Sequence, residues 1–361
     1  MEFIPQIEPW IDNTELEELT GVIKSTFISE NSKTEEFLGM VRQLTGSPQA
    51  IATSNGTLAI VAALMAAGIG PGDEVIIPDL TFIASSNAVI MVGAIPVFCD
   101  VHRETGCMDI ESARARITPK TKAIMPVHLY GQTVEMDELM AMAAEEGVMV
   151  IEDAAESFGI TYRGQHTGTF GRFGTFSFFA NKTITCGEGG VVLCQTEEDF
   201  RALYRIKNHG RDRKGIFVHE NIGFNFCFSD LHAAVGVAQM RKFDRIMEGK
   251  QRNFDFYVEH LDGKSGVSVI QPPEYVRSNH WFVNTLVEDP DALSAFLQDN
   301  GVGTRRFFYP MHKQPCYAHL ETEPHPNSTW LYDHGLSLPS GPRLTDKQRR
   351  RVCELVLQFH G

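Results

Sequence analysis

The sequence predicts an α/β fold, built on a mostly parallel sheet that helices cover on both faces. From about residue 50 to residue 195, short apolar runs alternate with helical patterns, which is the order expected of a parallel sheet. After residue 261 this alternation stops, so a second part of different architecture is expected. The length of 361 residues also suits a large domain with a smaller one beside it.

The elements of the first part follow from short apolar runs and from helical spacing. An N-terminal helix is predicted over residues 14–26, with its apolar side chains on one face. Strands are predicted at Val75–Ile77, Ile95–Phe98, Ala123–Val127, Val148–Ile151, Thr175–Phe179 and Gly190–Cys194. Helices are predicted between them at Thr57–Ala67, Ile83–Met91 and Met136–Glu146. In such a sheet, ligands bind at the carboxyl ends of the strands.

The two parts meet at a long helical pattern that runs from about Asp230 to Leu261. A helix of this length could connect two domains. We therefore predict a large α/β domain over residues 1–240, including the N-terminal helix. A smaller α+β domain is predicted over residues 241–361.

The second part shows one strand-like run and two helices. The run His280–Val287 precedes a helix introduced by Asp289 and Pro290, since proline is favourable at the first helical position. The closing helix has Thr345 and Gln348 at the spacing of a capping box. We see no internal repeat and no low-complexity tract.

The composition excludes several classes of function. Lys plus Arg number 32 and Asp plus Glu number 46, so the formal net charge is −14. A general nucleic-acid or anionic-membrane surface would need a basic face, which this balance disfavours. An anionic substrate must therefore be held by a local basic cluster.

Cysteine usage and the N-terminus indicate a cytoplasmic protein. The seven cysteines are odd in number and form no Cys-x-x-Cys pair, which favours reduced thiols over a disulfide framework. Residues 1–5 are acidic and introduce no long apolar stretch, so we expect no signal peptide. No apolar run reaches membrane-spanning length.

A first candidate site lies at Thr53–Leu58, between a short strand and an Ala-rich helix. The helix start offers N–H groups, Gly56 allows close approach, and Thr57 adds a hydroxyl, which together suit a phosphate. An ordinary capped helix explains the same residues, and the Gly-Lys-Ser/Thr ending of a nucleotide P-loop is missing. Phe82, at the end of another strand, could stack on a planar ring, although an isolated Phe is more often core.

The most informative residue is Lys182, which lies among apolar and small residues before a Gly-Glu-Gly-Gly turn. Such surroundings lower the pKa of a lysine and favour imine chemistry, although a lysine there could also decorate a loop. Upstream, Asp153 follows a buried strand, where a carboxylate is costly unless it is paired. Asp153 is either the N-cap of a helix or the partner of a protonated ring nitrogen.

An amine that can form an imine and a carboxylate that can bind a pyridinium nitrogen are what pyridoxal 5′-phosphate (PLP) requires of a protein. Lys182 and Asp153 therefore predict PLP as the cofactor and amino transfer as the activity. Glu156 either reaches the phenolic oxygen of this cofactor or completes a helix cap.

Two basic and aromatic segments are candidates for holding a sugar-linked diphosphate and a donor carboxylate. They are Asn208–Lys214 and Arg305–His312, and the residues that we predict to bind substrate are His209, Arg306, Tyr309 and His312. A solvated charge run is the alternative for residues 211–214. It fits residues 305–312 less well, because charge is mixed there with aromatic residues and proline.

A metal site is not predicted. His312, Cys316 and His319 could in principle meet a metal ion, as in a metal hydrolase. No fourth ligand lies nearby, however, and Pro315 interrupts any helical spacing.

Taken together, these segments resemble the sugar aminotransferases of the DegT/DnrJ/EryC1/StrS family, which have the fold type I architecture of PLP enzymes. The likeness runs from about residue 10 to the C-terminus, in the order of the family. The segments that carry it are Thr53–Thr57, Pro78–Phe82, Pro126–Gly131, Glu152–Glu156, Ser177–Gly190, Gly223–Phe226 and Tyr309–Tyr317.

The resemblance implies a role for each cofactor residue. Lys182 would bind PLP covalently and move the proton, and Asp153 would partner the pyridine nitrogen. Phe82 would stack on the ring, and Glu156 would lie near its phenolic oxygen. The residues implied for the cofactor phosphate are Gly56, Thr57, Ser177 and, from a second subunit, Asn225. The active unit would therefore be a homodimer with its active sites at the interface.

The resemblance also implies the substrates. L-Glutamate would donate its amino group to a nucleotide-linked 4-keto-6-deoxy sugar, and the product would serve a cell-surface polysaccharide. GDP-, UDP- and dTDP-linked acceptors are not distinguished by these residues. The family often has Gly-Tyr-Asn-Tyr-Arg where this chain has Gly223–Cys227, so the guanidinium is absent here.

Two other functions remain open on the sequence. A sugar 3-dehydratase on the same scaffold would have His in place of the imine-forming lysine, so Lys182 disfavours it. A non-catalytic regulator or binding module that retains the fold is disfavoured by the presence of Lys182, Asp153 and Ser177.

Overall fold

The computed structural model describes residues 3–213, 215, 217–320 and 323–360. The α-helices in these ranges are α1 (Asn13–Ser25), α2 (Ser32–Thr45), α3 (Gly56–Ala66), α4 (Ala84–Met91), α5 (Ile110–Arg114), α6 (Met136–Glu146), α7 (Glu197–Lys207), α8 (Asp230–Arg241), α9 (Phe243–Leu261), α10 (Pro290–Asp299), α11 (Pro326–His334) and α12 (Asp346–His360). Two 3₁₀ helices lie at Met311–Lys313 and Pro315–Tyr317.

The strands in the same ranges are β1 (Gln49–Thr53), β2 (Glu74–Pro78), β3 (Ile95–Cys99), β4 (Thr121–Ile124), β5 (Met149–Asp153), β6 (Thr161–Tyr162), β7 (Gln165–His166), β8 (Phe173–Ser177), β9 (Gly190–Cys194), β10 (Ser268–Val269), β11 (Val276–Arg277), β12 (Val283–Leu286), β13 (Arg305–Arg306) and β14 (Gly335–Leu338). All six strands that the sequence predicts between residues 75 and 194 are present within a few residues of their expected bounds. The three predicted intervening helices are present as α3, α4 and α6.

The main sheet has seven strands in the order β1–β9–β8–β5–β4–β2–β3. Its neighbours pair in parallel except at β9, which runs antiparallel to both β1 and β8. Because β9 runs the other way, its first residue, Gly190, lies opposite both Thr53 and Ser177, the last residues of β1 and β8. The carboxyl ends of these strands, where a parallel sheet binds ligands, therefore meet at one edge.

Helices cover both faces of this sheet, as the sequence predicts. On one face α3 packs on β8 and β9, and its fully buried alanines, Ala59, Ala62 and Ala63, let the helix lie close to the strands. On the other face α6 packs on β5, and Leu139 and Met142 join the cluster formed with β2 and β4. None of the helices in the described ranges is long and apolar enough to span a membrane.

The second part of the chain contains a four-stranded antiparallel sheet in the order β10–β12–β14–β13. Buried residues of α9, α10 and α12, among them Tyr257, Leu293 and Val352, pack with this sheet. The N-terminal residue Ile4 joins the same core and pairs with Val302. We propose the division of the chain between residues 240 and 241. The extreme N-terminus is the exception, because Ile4 packs with the smaller part.

Three sequence-based expectations need correction. The helical pattern over residues 230–261 forms two helices, because Lys242 (φ −110°, ψ 15°) leaves the helical conformation between α8 and α9. No helix follows Asp153, so neither a helix N-cap at Asp153 nor a cap at Glu156 is formed. On α1, Leu16 and Ile23 are exposed although they belong to its predicted apolar face.

Candidate active site

A cavity of about 310 Å³ opens at the carboxyl edge of the main sheet. Seven of the residues predicted to bind or use the cofactor line it, namely Gly56, Thr57, Phe82, Asp153, Glu156, Ser177 and Lys182. Lys182 and Asp153, on which the cofactor prediction depends, thus face the same cavity.

Lys182 is held at the cavity by groups from both parts of the chain. Its Nζ lies 3.6 Å from Oε1 of Glu156 and 4.2 Å from the ring centroid of Trp281, and the side chain is only 13% exposed. Burial lowers the pKa of Lys182, while the carboxylates of Glu156 and Asp153 raise it. Burial therefore favours the neutral, nucleophilic amine, and the ring and carboxylate stabilise its protonated form.

Trp281 is itself fixed at each of its polar atoms. Its indole Nε1 donates to the carbonyl oxygen of Asn181 at 2.7 Å, and its backbone N–H donates to Oδ1 of Asn279 at 2.9 Å. Its carbonyl oxygen accepts a hydrogen bond from Nζ of Lys250 at 3.0 Å. The two backbone contacts therefore hold the chain at Trp281, and the indole cannot swing away from Lys182 without breaking its hydrogen bond to Asn181.

Asp153 ends β5 as a buried carboxylate. Its Oδ2 accepts from Oγ of Ser85 at 2.7 Å, and its Oδ1 accepts from the N–H of Ala155 at 3.1 Å. Burial raises the pKa of Asp153, and these two hydrogen bonds together with the charge of Lys182 lower it. Each carboxylate oxygen has further acceptor capacity, which suits a cationic N–H donor in the cavity.

Glu156 is a second buried carboxyl on the cavity wall. Its Oε2 accepts the backbone N–H of Tyr130 at 3.0 Å, and Tyr130 holds the left-handed conformation with φ 54°. Burial raises the pKa of Glu156 to about 7, against the opposing effect of Lys182. This group therefore exchanges a proton near neutral pH, beside the amine of Lys182.

The cavity lining also combines a helix start with hydroxyl groups. The first turn of α3 begins at Gly56, and Oδ1 of Asn55 accepts the N–H of Leu58 at 3.0 Å. A Cβ on Gly56 would lie 2.7 Å from Cβ of Ser177, so only glycine allows Ser177 this close. Backbone N–H groups, the helix dipole and two hydroxyls, those of Thr57 and Ser177, make an anion site.

The donor set of the cavity fits PLP. An amine and a carboxylate flank it, an anion site lies at the start of α3, and the ring of Phe82 is 54% exposed at its wall. The amine of Lys182 would hold the aldehyde carbon, and the carboxylate of Asp153 would hold the ring nitrogen. The anion site would hold the phosphate, and Phe82 would lie on the face of the ring.

The residues predicted to bind substrate do not line this cavity, and the binding of substrate by Arg306 stays a prediction that its contacts do not support. Its guanidinium is bonded to Asp291 and to the carbonyl oxygen of Tyr332. Its neighbour Arg305 lines the cavity instead, because consecutive residues of a strand point to opposite sides.

Tyr309 and His312 also lie outside the cavity lining. The ring of Tyr309 packs edge-on against Tyr332, at a centroid distance of 5.1 Å. Nδ1 of His312 lies 2.7 Å from Oδ2 of Asp79. Their binding of substrate stays a prediction that the positions of these side chains do not support.

His209 and Asn225 are both exposed. They lie on two stretches of backbone that pair with each other, residues 208–209 and residues 224–225. The N–H of His209 donates to the carbonyl oxygen of Phe224 at 3.0 Å, and Asn208 forms a bridge with Asn225. Neither side chain lines the cavity of its own chain. Lys214, in the same predicted segment, lies outside the described residues.

Sequence reasoning did not assign several of the cavity residues, among them the three polar or aromatic residues Trp281, Arg305 and Glu188. Trp281 lies in the run that was interpreted as a strand, and nothing local distinguishes it from a core residue. Arg305 could have been distinguished from Arg306 only by the alternation of side chains along a strand. Glu188 lies within the Gly-Glu-Gly-Gly turn, and no feature of the sequence there predicts that its side chain faces the cavity.

Comparison with known proteins shows the family of this chain. Residues 9–357 match the DegT/DnrJ/EryC1/StrS aminotransferase family. The chain belongs to this family. It is therefore a PLP-dependent sugar aminotransferase with the fold type I architecture, and the predicted family, fold and cofactor are confirmed.

Similar proteins extend over nearly the whole chain. The GDP-perosamine synthase of Escherichia coli O157:H7 is 37% identical over 365 aligned positions, covering 100% of each sequence. A UDP-N-acetyl-3-dehydro-α-D-glucosamine 3-aminotransferase of Acidithiobacillus ferrooxidans is 36% identical and covers 89% of this chain and 87% of its own. The crystal structure of DesV from S. venezuelae superposes with a TM-score of 0.94 at 30% identity, covering 100% of this chain and 99% of DesV.

Proposed function

We propose that this aminotransferase moves the amino group of L-glutamate to GDP-4-keto-6-deoxymannose and releases GDP-perosamine. The observation that carries the proposal is the end-to-end similarity to GDP-perosamine synthase, in a chain whose Lys182 and Asp153 face one cavity. The product is suited to building a cell-surface polysaccharide.

A second acceptor class is supported by a separate observation. The UDP-sugar 3-aminotransferase is almost as similar in identity, 36%, although it covers 89% rather than all of this chain. A UDP- or dTDP-linked keto sugar is therefore the alternative acceptor, with amination at a different carbon.

Lys182 is the proposed acid and base of the reaction. When bound, PLP supplies an aldehyde for the incoming amine and an electron-poor ring that takes up the electron pair released at the substrate Cα. Nζ of Lys182 would remove the proton from that Cα and hold it, with the ring of Trp281 and Oε1 of Glu156 stabilising the ammonium. Proton transfer by one positioned base is typically worth ~10²–10⁴-fold in rate.

The other cavity residues would bind and orient. Asp153 would accept the ring N–H and so keep that nitrogen protonated, which its buried, hydrogen-bonded carboxylate suits. Ser177 and Thr57 would hold the phosphate at the start of α3, and Phe82 would cover one face of the ring and exclude water. Arg305 is our proposed partner for an anionic group of the substrate.

The proposed active unit is a homodimer in which Asn225 reaches the cofactor phosphate of the partner subunit. Asn225 is exposed, and the same segment exposes three large apolar side chains, those of Phe217, Val218 and Ile222. Contiguous exposed apolar groups mark interaction surfaces in soluble proteins.

A complementation experiment tests the homodimer. Lys182→Ala and Asn225→Ala proteins should each be inactive or weak alone. After unfolding and refolding together, mixed dimers should regain part of the activity, because one of their two sites carries neither substitution. No recovery in verified mixed dimers would show that Asn225 does not act across subunits.

The acceptor is tested with purified enzyme, L-glutamate and a panel of GDP-, UDP- and dTDP-linked keto sugars, followed by product masses. We expect amination of the GDP-linked 4-keto sugar at the highest kcat/KM. Preference for a UDP- or dTDP-linked sugar by tenfold or more would replace the proposed acceptor with the alternative.

We also propose that the enzyme acts in the cytoplasm. Five of its seven cysteines are buried as thiols, which suits a reducing compartment. Detection of the protein in a secreted or membrane fraction of its cells would contradict this.

A further inference from the structure

Asp79, His312 and His325 form a cluster that the catalytic cavity does not include. One ligand atom from each lies within 4.8 Å of the other two. The three residues come from distant segments: Asp79 directly follows β2, His312 lies in the first 3₁₀ helix, and His325 directly precedes α11. The cluster is therefore invisible in the sequence, where His312 is accompanied only by Cys316 and His319, both exposed.

His325 is the unusual member of the cluster. It is only 1% exposed, and both of its ring nitrogens lack a hydrogen-bond partner among the described residues. A neutral imidazole carries one donor and one acceptor, and leaving such a buried group without partners is unfavourable because its desolvation is not compensated. A polar side chain buried in this state is expected to have a ligand.

The other two members are already oriented. The carboxylate of Asp79 is fully buried. Its Oδ1 accepts the backbone N–H of His312 at 2.7 Å, and its Oδ2 lies 2.7 Å from Nδ1 of the same residue. The hydroxyl of Ser328 also donates to Oδ2 of Asp79. These contacts hold the carboxylate of Asp79 and the imidazole of His312 together. The ring centroids of His312 and His325 are 5.1 Å apart.

We propose that Asp79, His312 and His325 bind a divalent transition metal ion, for which Zn²⁺ is the best-matched probe. Two imidazoles and a carboxylate are a ligand set that Zn²⁺ accepts, with a water in the fourth position. Ligand bonds of ~2.0–2.2 Å require the Asp79–His312 contact to open slightly as the metal replaces their shared proton. The side chain of His312, which is 15% exposed, gives the ion its route from solvent.

The role that follows is structural, because none of the three side chains lines the catalytic cavity. The metal would join the end of β2 to the 3₁₀ helix that follows Arg305 and Phe308, and both of these residues line the cavity. It would thereby hold the second part of the chain against the edge of the main sheet. The inference does not depend on the identity of the sugar acceptor.

The test uses the full chain with its cofactor, stripped with a chelator and titrated with Zn²⁺ by calorimetry, with bound metal counted by emission spectrometry. We expect one Zn²⁺ per chain and an increase in Tm. The variants His325→Asn and His312→Asn should each weaken binding by more than tenfold, since even an outer-sphere partner of a metal ligand is typically worth ~10–100-fold.

His319→Asn is the matched control. His319 is an exposed histidine in the same segment and lies outside the cluster, so its substitution should leave both stoichiometry and affinity unchanged. Metal bound by the cofactor would persist in all three variants, so a loss of binding in His325→Asn and His312→Asn separates the cluster from the cofactor.

Two results would overturn the proposal: no stoichiometric Zn²⁺ binding by the wild-type chain, or wild-type affinity in His325→Asn. If circular dichroism shows that His325→Asn is unfolded, His312→Asn at the cluster's more exposed position decides the question by the same criterion.

Discussion

The cofactor side and the substrate side of this molecule differ in how far local sequence determines them. All seven residues that the sequence predicts for the cofactor within one subunit meet at one cavity. Of the four residues predicted for the substrate, none lines it, whereas Arg305, the neighbour of Arg306, does. Residues placed by strand ends are therefore predictable, whereas residues placed by long-range packing of irregular segments are not.

The physical cause lies in the sheet. Parallel strands end at one edge, so a polar residue just after a buried strand has little choice of location. Asp153 and Ser177 are the last residues of β5 and β8. Lys182 lies shortly after Ser177, in the loop that follows β8. Residues 305–312, in contrast, pack between the two parts, and each side chain turns toward whichever partner the packing offers.

Among the substitutions considered, Lys182→Ala should produce the largest loss of activity, and it tests the cofactor side. We expect the rate of amino transfer to fall by at least ~10²–10⁴-fold, because the general base is lost. The rate is measured as turnover of glutamate and the keto sugar. In a second measurement, borohydride should no longer attach the cofactor to the chain. Lys313→Ala, an exposed lysine of the other region, should behave as wild type, and activity that survives in Lys182→Ala would refute the assignment.

Replacing Asp153 by Asn removes the charge and keeps the shape. We expect a loss of ~1.5–3 kcal/mol of transition-state stabilisation, the usual worth of a hydrogen bond to a charged group, measured as kcat/KM. Ser85→Ala removes only a donor to the same carboxylate, so its loss should be smaller. A greater loss in Ser85→Ala would mean that Asp153 acts chiefly through its contact with Ser85.

Lys250 supports the cofactor side through Trp281, since its Nζ donates to the carbonyl oxygens of Trp281 and Ser340. Burial lowers the pKa of Lys250 to about 7, below the value in the unfolded chain. Between pH 7 and about 10.5 the unfolded chain therefore binds more protons than the folded one, so stability rises with pH.

The variant Lys250→Met isolates this effect. The unfolding free energy of wild type minus that of the variant should rise by up to ~1.4 kcal/mol per pH unit in that window and level off below it. Denaturant unfolding at several pH values measures the difference. A flat difference would show that Lys250 stays protonated in the folded protein.

The pair Arg305 and Arg306 gives the smallest effects and the sharpest contrast. Arg305→Gln should raise the KM for one anionic substrate about tenfold, ~1.4 kcal/mol, with unchanged stability. Arg306→Gln should leave KM unchanged and lower the unfolding free energy by ~1 kcal/mol, because it loses hydrogen bonds to the carbonyl oxygens of Tyr332 and Gly335. The reverse outcome would restore Arg306 as the substrate residue.

The fold of the first part is largely predictable for a similar reason. The predicted strands between residues 75 and 194 are mainly apolar, and five of the six have a polar or glycine residue directly at one end or both. Such a short, bounded apolar run is typical of a buried strand. The break at Lys242 is not predictable, because helical periodicity continues through it. The exposure of Leu16 and Ile23 on α1 has the same origin, since periodicity identifies an apolar face but not what covers it.

By itself the sequence predicted the alternating strands and helices between residues 75 and 194, the proposed amine and carboxylate of the cofactor site, and membership of a family of PLP enzymes. These features depend on local spacing and on residue types that few other chemistries require. Only the tertiary structure decided that Trp281 covers Lys182, that Arg305 rather than Arg306 faces the cavity, and that His325 joins Asp79 and His312. These contacts join residues far apart in the chain, and their geometry is set by packing, which no local pattern records.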